Sequence, residues 1–290
     1  MDGFENAAAL LPTELRRALS SLDPAIKNRA EEFRIRLGQR PTVLLDNGEH
    51  PLPGTCAADT SLLRAVFERV TGASLYTHAG ELRQGFICVQ GGIRVGVCGR
   101  AYTDDRGIRG FHSISSLAVR IPREIAGCAE AFVRDTASFP STIIISPPGG
   151  GKTTLLRDMI RLLSNRRMRV SLADERGEVA GVWNGEAQLD VGVCTDIMTG
   201  APKAESAMLL LRAMNPQLLA LDEITDPADV RACLQACNCG VRLLATAHAR
   251  DEKDLLCRRL YLDLLENKAF DRAVIIRTEN GHRSYREAWL

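Results

Sequence analysis

The chain has 290 residues, of which 45% are hydrophobic and 25% charged, the composition of a soluble globular protein with one large or two ordinary domains. Because 37 Lys and Arg residues stand against 36 Asp and Glu residues, the net charge of +1 argues against a polyanionic partner such as nucleic acid. The apolar runs are far shorter than the roughly 20 residues of a membrane span, and the acidic start MDGFENAAAL is unlike a secretory signal. We therefore expect a cytoplasmic protein without a transmembrane segment of its own.

The nine cysteines have spacings that do not fit a zinc site. Cys233, Cys237 and Cys239 lie close together, but none of them forms the C-x2-C pair that structural zinc sites favour. The other cysteines are scattered through apolar segments, where a reduced thiol behaves as a small hydrophobic group. We expect reduced, mostly buried thiols.

Residues 1–125 are expected to form a small α+β domain. Apolar residues that recur on one face predict helices, and alternating apolar and charged residues predict half-exposed strands. The predicted elements are helices at Leu11–Ser20 and Ser61–Thr71 and strands at Glu31–Leu37 and Pro41–Leu45. Within Glu81–Arg100, two β-rich stretches are separated by Gly91 and Gly92, which indicates a hairpin.

Residues 126–290 have the pattern of an α/β domain. Continuous apolar strands alternate with longer helices, which predicts a mostly parallel sheet covered on both faces. The predicted strands are Thr142–Ile145, Val170–Ala173, Leu218–Leu221 and Leu243–Ala245, and the predicted helices are Thr153–Ser164, Ala204–Met214, Pro227–Cys237 and Glu252–Glu266. Asp226 is expected to cap the third helix, which Gly240 follows. A terminal hairpin is predicted around Asn280 and Gly281, with strands at Ala273–Arg277 and Ser284–Trp289.

The segment SPPGGGKTT follows an apolar strand and precedes a helix, which is the setting of a phosphate-binding loop. Its small residues let backbone N–H groups approach phosphate oxygens, and the positive end of the helix dipole faces the same anion. Lys152 is expected to neutralise the β- and γ-phosphates, and the Thr153 hydroxyl to join the Mg²⁺ shell of a bound ATP. The expected nucleotide-binding residues are Ser146, Pro147, Pro148, Gly149, Gly150, Gly151, Lys152, Thr153 and Thr154.

One position of this loop departs from the usual motif, which begins with glycine where this chain has Ser146. Serine does not adopt a positive φ cheaply. We therefore expect nucleotide binding with slow turnover. The competing interpretation is a glycine-rich turn between strand and helix that contains an incidental lysine.

Two acidic residues follow the predicted strand Leu218–Leu221. Asp222 is expected to hold Mg²⁺ through a water, and Glu223 to act as the general base that polarises the attacking water. The alternative is that these two acids only mark the point where a strand reaches solvent.

Two further strand ends carry polar residues and point to the same edge of the sheet. Asp174 and Glu175 follow one strand, and His248 follows another. Ligands of open α/β sheets bind beyond the carboxyl ends of the strands, so these side chains are expected to face the γ-phosphate region. A solvated loop at 174–176 and a structural histidine are the alternatives.

An arginine that contributes charge to the transition state is expected from the region before the loop. The candidates are Arg83, Arg94, Arg100, Arg120 and Arg123. Arg120 is favoured because it lies near the predicted domain junction.

The motifs occur in a characteristic order along the chain. They are SPPGGGKTT at 146–154, DERGEVAG at Asp174–Gly181, LLALDEIT at Leu218–Thr225 and LLATAHA at Leu243–Ala249, preceded by EEFRIRLGQRP at Glu31–Pro41, GGIRVGVCGRA at Gly91–Ala101 and ISSLAVRIPREI at Ile114–Ile125. This order resembles the secretion-ATPase family of P-loop NTPases, which power type II and type IV secretion and type IV pili. Within that family it resembles the sporulation members.

The resemblance implies a RecA-like core and a hexameric ring in which nucleotide lies between that core and the amino-terminal domain. It also implies that Asp174 and Glu175 form an acidic box near Mg²⁺, and that His248 senses the γ-phosphate. The implied partners are membrane channel proteins of a sporulation secretion complex, with the ATPase peripheral to the membrane. Family members commonly carry an arginine near the position of Thr225, which cannot supply that charge.

Three functions remain open on the sequence alone. The leading hypothesis is an ATP-hydrolysing motor that powers assembly of, or transport through, a membrane channel complex during endospore formation. A nucleotide-dependent nucleic-acid-binding protein is the second hypothesis, against which the near-neutral charge and the 5% aromatic content count. The third is a ring scaffold that binds nucleotide with little turnover.

Overall fold

The computed structural model describes residues 3–72, 78–105, 107–122, 125–279 and 282–290, and it divides the chain into two compact units. Met1–Arg123 together with Gly181–Gln188 form the first unit, and Glu124–Ala180 together with Leu189–Leu290 form the second. The sequence pattern predicts that residues 181–188 belong to the carboxyl-terminal domain, whereas the structure groups them with the first unit. The domain boundary at residue 125 stays a prediction. Arg123, Asn280 and Gly281 lie outside the described residues.

A six-stranded antiparallel sheet forms the centre of the first unit, in the order β3-β2-β1-β6-β5-β4. Its strands are β1 (Glu32–Arg36), β2 (Thr42–Leu45), β3 (Gly48–Pro51), β4 (Phe86–Val89), β5 (Ile93–Asp104) and β6 (Gly107–Arg120). Buried residues alternate with half-buried ones along β1 and β2, as the sequence pattern predicts for strands with one face on the core. The predicted hairpin is confirmed between β4 and β5, where Gly91 and Gly92 both have a positive φ.

Five helices lie in the described residues of the first unit. They are α1 (Gly3–Ala9), α2 (Thr13–Ser20), α3 (Pro24–Arg29), α4 (Thr60–Thr71) and α5 (Ala79–Arg83). The sequence pattern predicts α2 and α4 but not the other three, because helices of five to seven residues are too short to show a periodic apolar pattern. The buried ring of Phe4 in α1 meets that of Phe33 in β1 edge-on, with 5.2 Å between ring centroids.

The second unit contains a seven-stranded sheet in the order β13-β12-β7-β11-β10-β8-β9. Its strands are β7 (Thr142–Ser146), β8 (Val170–Asp174), β9 (Thr195–Thr199), β10 (Leu218–Leu221), β11 (Arg242–His248), β12 (Arg272–Glu279) and β13 (His282–Trp289). Every neighbouring pair is parallel except β12 and β13, which form the predicted terminal hairpin. All residues of β7, β8 and β10 are buried, as expected for parallel strands covered on both faces. The predicted α/β core with a preceding α+β domain is confirmed.

In the part of the second unit that the structure describes, five helices pack against this sheet or flank it. They are α6 (Lys152–Asn165), α7 (Lys203–Ala213), α8 (Pro227–Asn238), α9 (Glu252–Cys257) and α10 (Arg259–Glu266). The predicted cap of α8 is confirmed, because the Asp226 carboxylate accepts the Ala228 N–H at 2.7 Å. No described helix is both long and apolar enough to cross a bilayer.

Two predictions made from the sequence are wrong: one concerns a helix of the second unit, and the other concerns the burial of the cysteines. The single helix predicted over Glu252–Glu266 is two helices, because the backbone of Arg258 is extended, with φ −89° and ψ 115°. The thiols are not mostly buried. Cys88 and Cys233 are buried, whereas the exposed cysteines are Cys56, Cys98, Cys239 and Cys257. Exposed thiols are compatible with the sequence pattern because apolar neighbours along the chain do not by themselves decide which way a side chain faces.

A buried arginine joins the terminal hairpin to the rest of the second unit. The Arg272 guanidinium donates to Thr142 Oγ1 at 3.1 and 3.2 Å and to the Phe132 carbonyl at 3.2 Å. Its Nη1 lies 3.5 Å from Glu287 Oε2 of β13. These partners offset the desolvation of a charge that is only 5% exposed.

We expect Arg272→Met to lower the free energy of unfolding by about 2–4 kcal/mol, because it leaves buried acceptors without their donor. Urea unfolding followed by circular dichroism measures the change. Arg286→Met is the matched control, since that guanidinium pairs with Glu252 on the surface and its loss is expected to cost about 1 kcal/mol or less. Equal losses from the two variants would contradict the structural role of Arg272.

Candidate functional site

The loop between β7 and α6 has the backbone form of a phosphate-binding loop. β7 ends at Ser146 and α6 begins at Lys152, with positive φ at Gly149 (74°) and Gly151 (96°). No side chain caps the amino terminus of α6, and its first turn contains no acidic residue. The helix therefore presents uncapped N–H groups and the positive end of its dipole beside the loop, which favours an anion there.

The serine that departs from the usual motif takes a conformation that suits it. Ser146 is the buried last residue of β7 and is not among the described residues with positive φ, so the expected conformational difficulty does not arise. Its hydroxyl donates to the Pro147 carbonyl at 2.8 Å. A Cβ added to Gly150 would lie 2.3 Å from Ser146 Oγ and 2.8 Å from its Cβ, so the serine requires glycine at position 150.

Lys152, His248 and Glu223 form a continuous hydrogen-bonded chain. Lys152 Nζ lies 2.9 Å from His248 Nδ1, and His248 Nε2 contacts Glu223 Oε1. An ammonium group only donates, so Nδ1 is the acceptor, and the ring proton on Nε2 is donated to the Glu223 carboxylate. The ammonium also lies 3.2 and 3.4 Å from the carbonyl oxygens of Ser146 and Pro147. Burial lowers the pKa of Lys152, and the nearby carboxylates of Glu223 and Asp222 oppose that shift.

Asp222 lies between two threonines at the carboxyl end of β10. Its Oδ1 accepts the Thr246 hydroxyl at 3.0 Å, and its Oδ2 accepts the Thr153 hydroxyl of α6 at 3.3 Å. The oxygen of Thr246 in turn accepts the Glu223 N–H at 2.8 Å, which connects the two acidic residues. Burial, followed by the charges of Asp174 and Glu178, raises the pKa of Asp222 to about 6. The structure thus brings Thr153 and Asp222, two of the three side chains expected to bind Mg²⁺, into contact.

The carboxylate of Asp174 accepts hydrogen bonds from the backbone that follows it. Its carboxylate is 1% exposed and accepts N–H groups from Glu178 at 2.9 Å, Val179 at 3.1 Å and Ala180 at 2.9 Å. Burial raises the pKa of Asp174 even though these bonds oppose the shift. Both oxygens are used to hold the loop 175–180, so this geometry does not support the expected Mg²⁺ ligand. The metal role of Asp174 stays a prediction.

Glu175 and Arg120 are placed differently from the central residues. Glu175 is about one-third exposed, and its Oε2 lies 3.9 Å from Lys203 Nζ. Arg120 is the exposed last residue of β6 in the first unit, in register with Glu32 and Arg94. The catalytic roles expected for Glu175 and Arg120 stay predictions.

Two cationic side chains of the second unit were missed by the sequence analysis. The guanidinium carbon of Arg283 in β13 lies 3.0 Å from the position that a Cβ on Gly151 would occupy. Lys203 Nζ donates to the Glu223 carbonyl at 2.6 Å. Neither residue lies in a recognisable motif, and both are distant in sequence from the groups that they approach. A lysine in the first turn of a helix, where the dipole disfavours it, was the one available signal for Lys203.

The model of the family described as "Sporulation stage III, protein AA" matches residues 1–286. "Stage III sporulation protein AA" of Bacillus subtilis (strain 168) is 35% identical over 281 residues, which cover 94% of this chain and 91% of that protein. These matches confirm the resemblance to the sporulation members of the family.

Solved structures show the same fold. The ATPase DotB of Legionella pneumophila superposes with a TM-score of 0.62 at 15% identity, covering 97% of this chain and 81% of DotB. The pilus retraction motor PilT, solved with bound ADP, gives a TM-score of 0.58 at 15% identity, covering 92% of this chain and 81% of PilT. The chain therefore has the fold of the secretion ATPases.

The pairing of Ser146 with Gly150 gives a compensation test. We expect Gly150→Ala to lower the melting temperature by several degrees, because the added methyl overlaps Ser146 Oγ, and overpacking typically costs about 1–3 kcal/mol. Ser146→Gly in the same chain should recover most of the loss, leaving only the 3.2 Å approach to the Pro147 carbonyl. Thermal melts of the single and double variants measure this. A double variant no more stable than Gly150→Ala would refute the pairing.

The raised pKa of Asp222 predicts that asparagine, its neutral isostere, stabilises the folded protein by an amount that depends on pH. A folded-state pKa of about 6, against about 3.8 unfolded, means that the carboxyl favours folding below pH 4 and loses that contribution, roughly 3 kcal/mol, as the pH rises through 6. Asp222→Asn should therefore raise the melting temperature at pH 8 in EDTA but not at pH 4. The exposed Asp263 of α10 provides the control, and Asp263→Asn should change neither value. Equal melting temperatures for wild type and Asp222→Asn at pH 8 would contradict the raised pKa.

Proposed function

Since the chain belongs to the Sporulation stage III, protein AA family, we propose that it is an ATP-hydrolysing, Mg²⁺-dependent motor of the secretion-ATPase type. The observation that carries this proposal is the hydrogen-bonded chain from Lys152 through His248 to Glu223, beside the contact of Thr153 with Asp222. It joins a phosphate-binding loop to a base and an acidic metal ligand, the groups that phosphoryl transfer to water requires.

Nucleotide binding is assigned to the loop 146–154. Its backbone N–H groups and the amino terminus of α6 receive the phosphate oxygens. Lys152 then donates to the β- and γ-phosphates in place of its present acceptors, the carbonyls of Ser146 and Pro147 and the ring of His248. The fall in its pKa through burial is reversed by the negative charge of the phosphates.

The residues present fit a magnesium ion. Mg²⁺ prefers oxygen ligands and is usually held by one or two protein side chains together with phosphates and waters. Thr153 Oγ1 and Asp222 Oδ2 lie 3.3 Å apart. Asp222 is a partly buried carboxylate, and no Lys or Arg of the described residues forms an ion pair with it. When bound, the ion neutralises charge on the phosphate oxygens and keeps Asp222 ionised.

Glu223 is assigned as the general base. The Glu223 carboxylate accepts a hydrogen bond from His248 Nε2–H, so the histidine sets the orientation of the carboxylate. When Lys152 turns to the phosphates, His248 Nδ1 loses its donor. Once this nitrogen takes up a proton, it can donate a hydrogen bond to a γ-phosphate oxygen. Glu223 then orients and polarises the attacking water, a contribution of about 10²–10⁴ in rate for a well-placed base.

The larger assembly is the part of the proposal that rests on family likeness. We assign a hexameric ring, peripheral to the membrane, that drives assembly of or transport through a membrane channel during endospore formation. Arg120 is assigned as the arginine that supplies charge to the transition state, and Glu175 as part of the acidic box.

Separate measurements of ATP binding and hydrolysis test the site. We expect Glu223→Gln to lower kcat by about 10²-fold or more while the Kd for ATP changes little, because the base acts after binding. Lys152→Ala should instead weaken ATP binding at least about tenfold, since it removes a charge-assisted contact to phosphate. Glu266→Gln, at the exposed end of α10, is the control and should match the wild type.

The outcomes also separate a motor from a scaffold. Unchanged turnover in Glu223→Gln would refute the base assignment. A wild type that binds MgATP and assembles but does not hydrolyse it would refute the motor and favour the scaffold. Light scattering of wild type and Lys152→Ala, with and without ATP, measures the assembly size.

A further inference from the structure

Lys203 occupies an electrostatically unfavourable position. It is the first residue of α7, where the helix dipole repels a cation, and no side chain caps that helix end. Its side chain is only 11% exposed, so the ammonium is also largely removed from water. Both costs must be offset by specific partners.

The partners of this ammonium are oxygens from three separate segments. Nζ donates to the Glu223 carbonyl at 2.6 Å and to Thr225 Oγ1 at 3.3 Å, both in the loop after β10. It lies 3.6 Å from Asp229 Oδ2 in the first turn of α8 and 3.9 Å from Glu175 Oε2 after β8. Lys203 therefore joins the ends of β8 and β10 to the start of α8.

The shortest of these bonds reaches a strained residue. Glu223 has φ +53°, a left-handed conformation that costs a non-glycine residue about 1–2 kcal/mol. Two hydrogen bonds hold its backbone, from Lys203 Nζ to the carbonyl and from the N–H to Thr246 Oγ1. In this conformation its carboxylate meets His248. A relaxed φ would redirect the side chain, because φ determines where Cβ points.

We propose that Lys203 is a positioning residue that holds the left-handed backbone of Glu223 and so aims its carboxylate at His248. The inference rests on the proposed function for its catalytic consequence, but the link between the two residues is independent of it. The Glu175 carboxylate, 3.9 Å away, contributes to holding the ammonium in place. Within the described part of the chain, Lys203 forms no hydrogen bond or ion pair with the phosphate loop 146–154, so it acts on turnover rather than on binding.

The test compares Lys203→Met and Lys203→Arg with Lys253→Met, an exposed lysine of α9 in the same unit. We expect Lys203→Met to lower kcat about 10–100-fold with the Kd for ATP within about twofold, because small misplacements of a catalytic group cost that much. Lys203→Arg keeps charge and donors and should recover activity to within about tenfold of wild type. In a Glu223→Gln background, Lys203→Met should add less than about twofold, since both act through one group.

Two results would overturn the positioning role while leaving the proposed function intact. One is a fall in kcat for Lys203→Met that Lys253→Met equals. The other is a fall in kcat that is as large in the Glu223→Gln background as in the wild type. A wild type without ATPase activity would overturn the proposed function. The crystal structure of Lys203→Met then tests the inference by itself: a Glu223 φ outside the left-handed region supports it, and a φ that stays near +53° overturns it. If Lys203→Met does not fold, Lys203→Gln, which keeps a donor without the charge, replaces it in every measurement.

Discussion

Parallel hydrogen bonding among β7, β11, β10 and β8 is the constraint on which the candidate site depends. It brings the carboxyl ends of these strands to one edge of the sheet, although the residues they carry are up to about a hundred positions apart in the chain. Ser146, Asp174 and His248 are the last residues of three of the strands, and Asp222 follows the fourth. Because the strands are buried on both faces, they leave little freedom for these end residues to separate.

Gathering charges at a buried edge has an energetic consequence. Burial raises the pKa of both Asp222 and Asp174, and the charge of Asp174 adds to the rise at Asp222. Asp174 offsets its desolvation cost with backbone N–H groups, whereas the Asp222 carboxylate accepts hydrogen bonds from two threonine hydroxyls in the described part of the chain. A cation beside Asp222 would therefore offset part of this desolvation cost. The left-handed Glu223 adds local strain at the same place, as is frequent where geometry serves chemistry.

Ser146 shows how a departure from a motif can be accommodated by its surroundings. The serine needs no positive φ, and its side chain fills the space above Gly150, where a Cβ would collide with it. In place of the usual glycine at the first position this loop has Ser146, and Ser146 in turn requires glycine at position 150. The loop retains positive φ at Gly149 and Gly151, which only glycine adopts cheaply.

The sequence by itself determined the parallel core, its longer helices, the terminal hairpin strands, the cap of α8 and the phosphate-loop motif, because each depends on neighbours within a few residues. It did not reveal the break at Arg258, the exposed thiols or the membership of residues 181–188 in the first unit. Only the tertiary structure decided that Lys203 donates to the Glu223 carbonyl and that backbone N–H groups surround the Asp174 carboxylate. The physical reason is that these contacts join side chains and backbone groups brought together by folding, and no periodicity or local motif records which distant atoms will meet.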